Sequence, residues 1–285
     1  MRFDKYHALG NAYLLLGTPT PPSAALVTQL CDVHVGIGAD GVLHLEQGDD
    51  DGAALLRVFN PDGSEAQTSG NGVRIAARWL WDHGCAPGGL ARLRTSVRNY
   101  TCEVAPDGSS VSVPMGRADF RSSALPMTGP EREVIDVPLE LDGATVRVSA
   151  VSIGNPHVVV FTDAPADEVV ARWGAALERH PWFPERTNVQ AVTIVHPGEL
   201  RVAVWERGAG ITPSSGSSAA AVAALARRLR RCDAEVAVVM PGGTFDVHVS
   251  DTFDVVVRAP VARVAEGTLA DAWVRAALAQ DSLDR

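Results

Sequence analysis

Two phrases in this chain occur twice, in the same order and at nearly the same separation. Leu9-Gly10-Asn11-Ala12-Tyr13-Leu14-Leu15-Leu16 and Ile153-Gly154-Asn155-Pro156-His157-Val158-Val159-Val160-Phe161 each read as an apolar residue, Gly-Asn, two further residues and a buried strand. Downstream, Ser69-Gly70-Asn71-Gly72 and Ser215-Gly216-Ser217-Ser218 each run into a segment with helical spacing. Asn11 precedes Ser69 by 58 positions and Asn155 precedes Ser215 by 60. Two markers in one order at one spacing indicate internal duplication. The expected architecture is therefore two like domains.

The helices after the serines are the core of that expectation. Val73, Ala76, Ala77 and Leu80 recur at i, i+3, i+4 and i+7, and Gly84 is placed to end the element. Val222, Leu225, Ala226 and Leu229 repeat the pattern, with small residues around the rest that suggest burial on nearly all sides. That helix is expected from Ala219 to about Arg231, with Arg227, Arg228, Arg230 and Arg231 suited to its negative C-terminal end. The first N–H groups of a helix lack internal partners and carry the positive end of its dipole, so each serine sits at the lip of an anion seat. Either start alone reads equally well as an ordinary glycine-rich cap; the pair is more telling.

Along the chain, Arg2 to Leu16 reads as strand, turn, strand, and Ser23 as the N-cap of a helix to about Val33. Gly36-Ile37-Gly38-Ala39-Asp40-Gly41 satisfies a dinucleotide-binding spacing, but a helix precedes it and a strand, Val42 to Leu45, follows. That order is the reverse of what a phosphate-binding turn requires, and it argues against the reading. Strands are expected at 90–95, 100–104, 110–113, 134–139, 145–151, 158–161, 187–195 and 200–205, and a helix at 166–178. Thr268 is expected to cap a last helix to about Ala279. The Pro-rich stretch between Arg117 and Glu133 marks the domain crossing. The domains are then 1–118, with 265–285 crossing back to it, and 119–264.

Composition narrows the partners. A formal charge of −9 argues against broad nucleic-acid binding, and no apolar run approaches a membrane span. Met1-Arg2-Phe3-Asp4-Lys5 opens without the hydrophobic region of a secretory signal, so the expected compartment is the cytoplasm. Cys31, Cys85, Cys102 and Cys232 have neither metal-ligand nor disulfide spacing, and no metal is expected. A small molecule is the expected partner.

Two like halves facing one another would set a small polar side chain on either side of one carboxylate-bearing carbon. Preorganised N–H donors stabilise the charge that builds when the α-proton leaves, and removal on one face with return on the other inverts the centre. Such a racemase or epimerase needs no cofactor. For both serines to reach one α-carbon, their oxygens would lie within roughly 7–8 Å in a closed form.

The stretches that carry a family likeness are Leu9-Gly10-Asn11, Gly36 to Gly41, Phe59-Asn60-Pro61-Asp62-Gly63-Ser64-Glu65, Gly70-Asn71-Gly72 and Gly154-Asn155-Pro156-His157 in the first part of the chain. Phe183-Pro184, Thr187-Asn188-Val189, Glu206-Arg207-Gly208-Ala209-Gly210 and Gly216-Ser217 follow. With these the chain resembles diaminopimelate epimerase, within a wider fold that includes proline and histidine racemases. The resemblance implies an α/β protein of two pseudo-symmetric domains, each a curled antiparallel-rich sheet around a central helix. It implies that Gly70, Asn71, Gly216 and Ser217 hold the reacting carboxylate. Asn11, Asn60, Asn155, Asn188 and Arg207 fall where the family binds its substrate, and His157 and Glu206 beside the two catalytic thiols. It further implies epimerisation at the α-carbon of diaminopimelate in amino-acid metabolism, an amino-acid substrate, no pyridoxal phosphate and a possible homodimer.

Both positions where the family carries a catalytic cysteine are serine here, Ser69 and Ser215. A thiol titrates near pH 8.5, and lower at a helix N-terminus, whereas a serine hydroxyl needs a strong neighbouring base. A Cys-to-Ser pair that inactivates the enzyme is the favoured account, because identical conservative swaps fall only on the two catalytic positions. A relative acting on another amino acid in specialised metabolism, or an amino-acid-binding protein that has lost catalysis, stand as alternatives. Ala12, Arg98 and Pro114 also depart from the family pattern; Arg98 reads as a solvated strand residue or as a further carboxylate clamp.

Overall fold

A computed structural model describes residues 1–46, 52–67 and 69–281. In chain order its elements are β1 (Arg2–Ala8), β2 (Asn11–Leu16), α1 (Ala24–Cys31), β3 (Val42–Glu46), β4 (Ala54–Phe59), β5 (Glu65–Ala66), α2 (Gly70–Asp82), β6 (Leu90–Arg94), β7 (Asn99–Val104) and β8 (Ser110–Arg117). There follow β9 (Val137–Leu141), β10 (Ala144–Ser152), β11 (Pro156–Phe161), α3 (Ala166–Glu178), β12 (Asn188–His196), β13 (Glu199–Glu206), β14 (Gly210–Thr212) and α4 (Gly216–Arg228). The chain ends with β15 (Glu235–Met240), β16 (Gly243–Val249), β17 (Asp254–Pro260), β18 (Ala262–Thr268) and α5 (Asp271–Asp281). It divides into two compact units, Met1–Val113 with the stretch from Ala259 onward, and Pro114–Arg258. Of the returning segment expected at 265–285, residues 282–285 lie outside the described residues.

Within the first unit β1 pairs antiparallel with β18 and β2, β2 parallel with β3, and β3 antiparallel with β4. β4 pairs antiparallel with β5 and parallel with β6, which is antiparallel to β7. The second unit repeats this step for step. β10 is antiparallel to β9 and β11, β11 parallel to β12, and β12 antiparallel to β13. β13 is antiparallel to β14 and parallel to β15, which is antiparallel to β16. The duplication read in the sequence is thus a duplication of topology, with β9 in the place that β18 takes in the first unit. This mixed α/β, sheet-rich fold follows from the alternation of apolar residues on the strands and from the two helices they enclose.

Tight turns fix the register. Leu9 and Gly10 join β1 to β2 with φ of 51° and 85°, and Asp142 and Gly143 join β9 to β10 with φ of 49° and 78°. Positive φ at both central residues is the two-residue turn whose twist matches that of the flanking strands. The turn after β1 therefore delivers Asn11 as the first residue of β2.

Each central helix packs on six strands of its own unit. α2 meets β1, β2, β3, β4, β6 and β7, and α4 meets β10, β11, β12, β13, β15 and β16. Every residue from Ala219 to Ala226 is fully buried, because alanines let the sheet approach from all sides. α2 is amphipathic instead. It buries Val73, Ile75, Ala76 and Ala77, while Arg78 pairs with Asp82 at 2.9 Å and Trp79 donates to Asp4 at 2.9 Å.

Among the boundaries that differ from the sequence expectation, two have a clear local cause. Thr268 does not cap the last helix: it is the final residue of β18, opposite Arg2, and Leu269 N–H extends the ladder to Met1 C=O before α5 opens at Asp271. A β-branched residue here continues a strand that has a partner, and pairing outweighs its capping tendency. α4 ends at Arg228, since Arg230 has φ of 57°, which leaves Arg230 and Arg231 beyond the helix. Arg227 and Arg228 remain in its last turn and pair with Asp251 and Glu133 at 3.1 and 2.9 Å.

Candidate functional site

In the first unit the site is built on the start of α2. Ser69 is the N-cap in extended conformation, and its hydroxyl accepts the N–H of Gly72 at 3.0 Å. A second hydrogen bond, at 3.1 Å, joins it to the Tyr13 hydroxyl, which reaches it from β2. Tyr13 is positioned by Gly41: a Cβ there would lie 2.6 Å from the phenol ring and 2.5 Å from the Phe59 carbonyl oxygen. The glycine-rich segment from Gly36 thus serves packing. It is pinned by two hydrogen bonds of 2.8 Å between Asp40 and the Ala12 backbone. Asn71 donates from its side chain to Asn11 Oδ1 at 3.1 Å, and its own oxygen accepts from the buried Arg74. The Asn11 carbonyl is thereby occupied, and its amide nitrogen is the end left to donate to a ligand.

The second unit builds its counterpart on the start of α4. Ser215 is the N-cap with the same extended backbone and accepts from Ser218 N–H at 3.5 Å. Ser217 Oγ lies 3.4 Å from Ser215 Oγ, and the Ser215 N–H points at Met240 Sδ, 3.4 Å away. Glu206, at the end of β13, is half-buried. Burial raises the Glu206 pKa from its ordinary value, while the nearby Ser215 side chain works against that rise.

His157, expected beside a catalytic position, is fully buried and bonded at both nitrogens. Nε2 faces Asn155 Oδ1 at 3.0 Å and Nδ1 faces Gln190 Nε2 at 3.1 Å. An amide oxygen can only accept and an amide nitrogen only donate, so the proton sits on Nε2. Burial pushes the imidazole pKa down to about 3 and the nearby Arg207 charge adds to this, while the Gln190 bond opposes it. Gln190 also donates to Ser218 Oγ at 2.9 Å, so one buried chain runs from Asn155 through His157 and Gln190 to the first turn of α4. The Asn155 carbonyl is occupied as that of Asn11 is, and again the amide nitrogen remains.

Other expected residues are held in different ways. Asn188 is buried and ties two elements together, donating to Pro156 C=O at 3.1 Å and accepting from Arg207 N–H at 3.0 Å. Arg207 is exposed and its guanidinium donates to Glu185 C=O at 3.2 Å. Asn60 is exposed in the turn after β4 and donates to Ser64 Oγ at 3.0 Å. Gly70 is exposed and Gly216 buried, each the first residue of its helix. Arg98 stacks its guanidinium over Tyr100, 4.3 Å from the ring centroid.

Sequence reasoning did not single out Tyr13, Gln190, Ser218 or Glu178. A signal existed for the first: Tyr13 opens the apolar run Tyr13-Leu14-Leu15-Leu16 with a polar-tipped side chain and occupies the place of His157 in the repeated phrase. Glu178, at the end of α3, is 2% exposed and accepts from Trp205 Nε1 at 2.8 Å and from Gly208 N–H at 2.9 Å. It fixes the turn that carries Glu206 and Arg207. Among the described residues no group of three or more His, Cys, Asp or Glu is placed to hold a metal ion, and no helix is long and apolar enough to cross a membrane.

Comparison with known proteins places this geometry. The chain matches the family described as diaminopimelate epimerase over residues 3–121 and 149–264. Diaminopimelate epimerase 2 of Nostoc sp. (strain PCC 7120) is 39% identical over 272 residues, covering 94% of this chain and 95% of that protein. Diaminopimelate epimerase of Methanothermobacter thermautotrophicus is 36% identical over 256 residues, covering 87% and 90%. Among solved structures, a hydroxyproline epimerase from Agrobacterium vitis aligns with a TM-score of 0.65 at 15% identity over 94% of this chain and 90% of that one. A phenazine biosynthesis protein of the PhzF family from Bacillus anthracis aligns with a TM-score of 0.65 at 15% identity, covering 95% and 99%. These two likenesses speak for the fold alone. Topology, motifs and relatives agree, and the chain belongs to the diaminopimelate epimerase family of amino-acid epimerases.

Proposed function

We propose that this protein binds diaminopimelate or a close α-amino acid, and that epimerisation at the α-carbon, without a cofactor, resides in the form with cysteine at 69 and 215. The observation that supports this most is the pair of serine-capped helix starts, Ser69 on α2 and Ser215 on α4, within a duplicated topology. By the family resemblance both starts receive the reacting carboxylate. Their N–H groups offer the preorganised donors that an enediolate needs, and Asn11 and Asn155 present amide nitrogens beside them. Arg207 and Asn188 stand where the family binds the distal amino-acid head, and an arginine fork suits a carboxylate. With serine at both acid/base positions we infer an amino-acid-binding form, slow in epimerisation by orders of magnitude.

The double variant Ser69→Cys/Ser215→Cys should epimerise diaminopimelate and exchange its α-proton in D₂O at least 10²-fold faster than the serine protein, the scale of a positioned acid/base. Equal rates in both forms would remove the two-thiol account. In calorimetric titrations of the serine protein, diaminopimelate should bind more tightly than lysine, which lacks the distal carboxylate. Arg207 is exposed in the free protein; where ligand binding buries its pair with the distal carboxylate, loss of that pair costs on the order of 2–5 kcal/mol. Equal affinity for lysine would remove the distal carboxylate from the reading.

A further inference from the structure

The two units hold their capping serines differently. Ser69 Oγ accepts the N–H of Gly72 at 3.0 Å and the hydroxyl of Tyr13 at 3.1 Å. A hydroxyl oxygen has two lone pairs and one proton, so with both lone pairs engaged Ser69 has its own proton left to offer. Ser215 Oγ accepts from Ser218 N–H at 3.5 Å and has Ser217 Oγ at 3.4 Å, both longer than the usual hydrogen bond. The residue that answers to Tyr13 in the second unit is His157, since Leu14 pairs with Val42 as Val158 pairs with Val189. The His157 ring is bonded to Asn155 and Gln190 instead. A phenol on the capping group is thus a feature of the first unit.

The fold fixes where that phenol sits. Tyr13 is 7% exposed and lies directly opposite Tyr6 in the hairpin of β1 and β2, so the two rings share one face of the sheet. Tyr6 donates to Asp82, the last residue of α2, at 2.6 Å, while Tyr13 donates to Ser69, the cap before its first residue. Two opposed phenols therefore hold the two ends of one helix. Gly41 makes the room, because a Cβ there would lie 2.6 Å from the Tyr13 ring. The bond to Ser69 thus belongs to a packed interior and not to a surface rotamer.

We propose that Tyr13 is a positioning residue for the group at position 69: its phenol donates to that group and holds its anion beside the first turn of α2. The inference rests on the amino-acid reading above, in which position 69 carries an acid/base group. Three influences favour negative charge at this point, namely the Gly72 N–H, the positive end of the α2 dipole and the Tyr13 O–H. The first two come with any capped helix start; the phenol is added to them. A phenol stays protonated near neutral pH, so it donates throughout the range in which a thiol titrates. On serine the gain is too small to yield an anion without a strong base. On a thiol, which titrates at about pH 8.5, the same donor brings the anion toward neutrality, the thiol losing its proton to solvent and the phenol keeping its own.

The test reads the anion directly and needs no ligand. In full-length Ser69→Cys the rate of iodoacetamide alkylation at position 69 is followed against pH, peptide by peptide, because Cys85 is exposed and reacts as well. Expected is a thiol that titrates below about 8.5 and whose midpoint rises by about one pH unit in Ser69→Cys/Tyr13→Phe, the scale of losing one hydrogen bond to an anion. Alkylation at neutral pH should then slow about tenfold. Gly41→Ala, which displaces the ring and keeps the phenol, should shift position 69 in the same direction, and it serves as the second variant should Tyr13→Phe unsettle the fold. Cys85, and position 215 in Ser215→Cys/Tyr13→Phe, should keep their profiles. A shift at position 69 under about 0.3 unit, or an equal shift at Cys85 or position 215, would overturn the inference and leave the amino-acid reading in place. In Ser69→Cys/Ser215→Cys, Tyr13→Phe should move α-proton exchange of diaminopimelate in D₂O to higher pH by the same interval, with the rate at high pH retained; exchange lost at every pH would also overturn it. Failure of diaminopimelate and every other amino acid to bind in calorimetry would instead overturn that reading, and with it the acid/base role that Tyr13 serves.

Discussion

Replacement of His157 by glutamine should change how the protein tolerates acid. In the unfolded chain this imidazole titrates near 6.5; in the fold it is wholly enclosed, its proton lies on Nε2, and burial holds its pKa down at about 3. Between these values the unfolded state binds a proton that the folded state refuses, so stability is full above the unfolded pKa and declines as pH falls toward the folded one. At about 1.36 kcal/mol per pH unit the loss reaches about 2 kcal/mol by pH 5 and about 5 kcal/mol once pH 3 is approached. Glutamine can keep a donor toward Asn155 but has no proton to gain, so the variant should start less stable at pH 7.5 and lose less between pH 6.5 and 5. Urea unfolding at pH 7.5, 6.5, 5.5 and 5.0 measures the slopes, and carbon-13 labelling of the imidazole reports the titration directly. Equal slopes in the two proteins, or a His157 ring that titrates between pH 5.5 and 7, would refute the reasoning. The latter result would restore His157 as a proton carrier near neutrality.

Two further perturbations probe the supports of the site. Glu178 accepts two N–H bonds from Trp205 and Gly208 and faces Arg186 at 3.7 Å; these lower its pKa against the opposing effect of burial. Its contribution should therefore be present above the unfolded glutamate value near 4.3 and be lost as pH falls through the lower folded value. Glu178→Gln should cost about 1.5–3 kcal/mol at pH 7, the scale of one hydrogen bond to a charged group, measured by urea unfolding; a cost under about 0.5 kcal/mol would show that the turn holds itself. Gly41→Ala puts a Cβ 2.5 Å from the Phe59 carbonyl oxygen and 2.6 Å from the Tyr13 ring, neither of which yields freely. It should cost about 1–3 kcal/mol in the same assay, and an unchanged unfolding midpoint would mean that the Gly41 contact does not place Tyr13.

What the sequence made legible was periodic. Apolar spacing placed α2 and α4, Ser23, Ser69 and Ser215 cap their helices as expected, and the Gly-Asn phrases mark the same hairpin in each unit. Thr268 was misread because capping tendency is a local quantity, and the strand partner that decides its state, β1, lies at the other end of the chain. The buried network was illegible for the same reason. Gln190 sits mid-strand among apolar residues with no local motif to distinguish it, and its role exists only where β12 passes between His157 and Ser218.

The duplication explains both why the fold was readable and why the chemistry was not. Repeated pairing constrains backbone and register, so the phrases that survive in both halves are those that turn the chain or start a helix. The halves disagree instead in the side chains at matched positions: Tyr13 against His157, Leu43 against Gln190, Gly72 against Ser218, Asn60 against Glu206. Leu43 and Gly72 cannot make the hydrogen bond that joins Gln190 to Ser218, so only the second unit holds, among the described residues, the network that keeps His157 neutral. A thiol at each serine would bring its own titratable proton to both units and hide that inequality. With hydroxyls there instead, the halves differ in titratable groups at matched positions, a carboxamide at 60 against a carboxyl at 206.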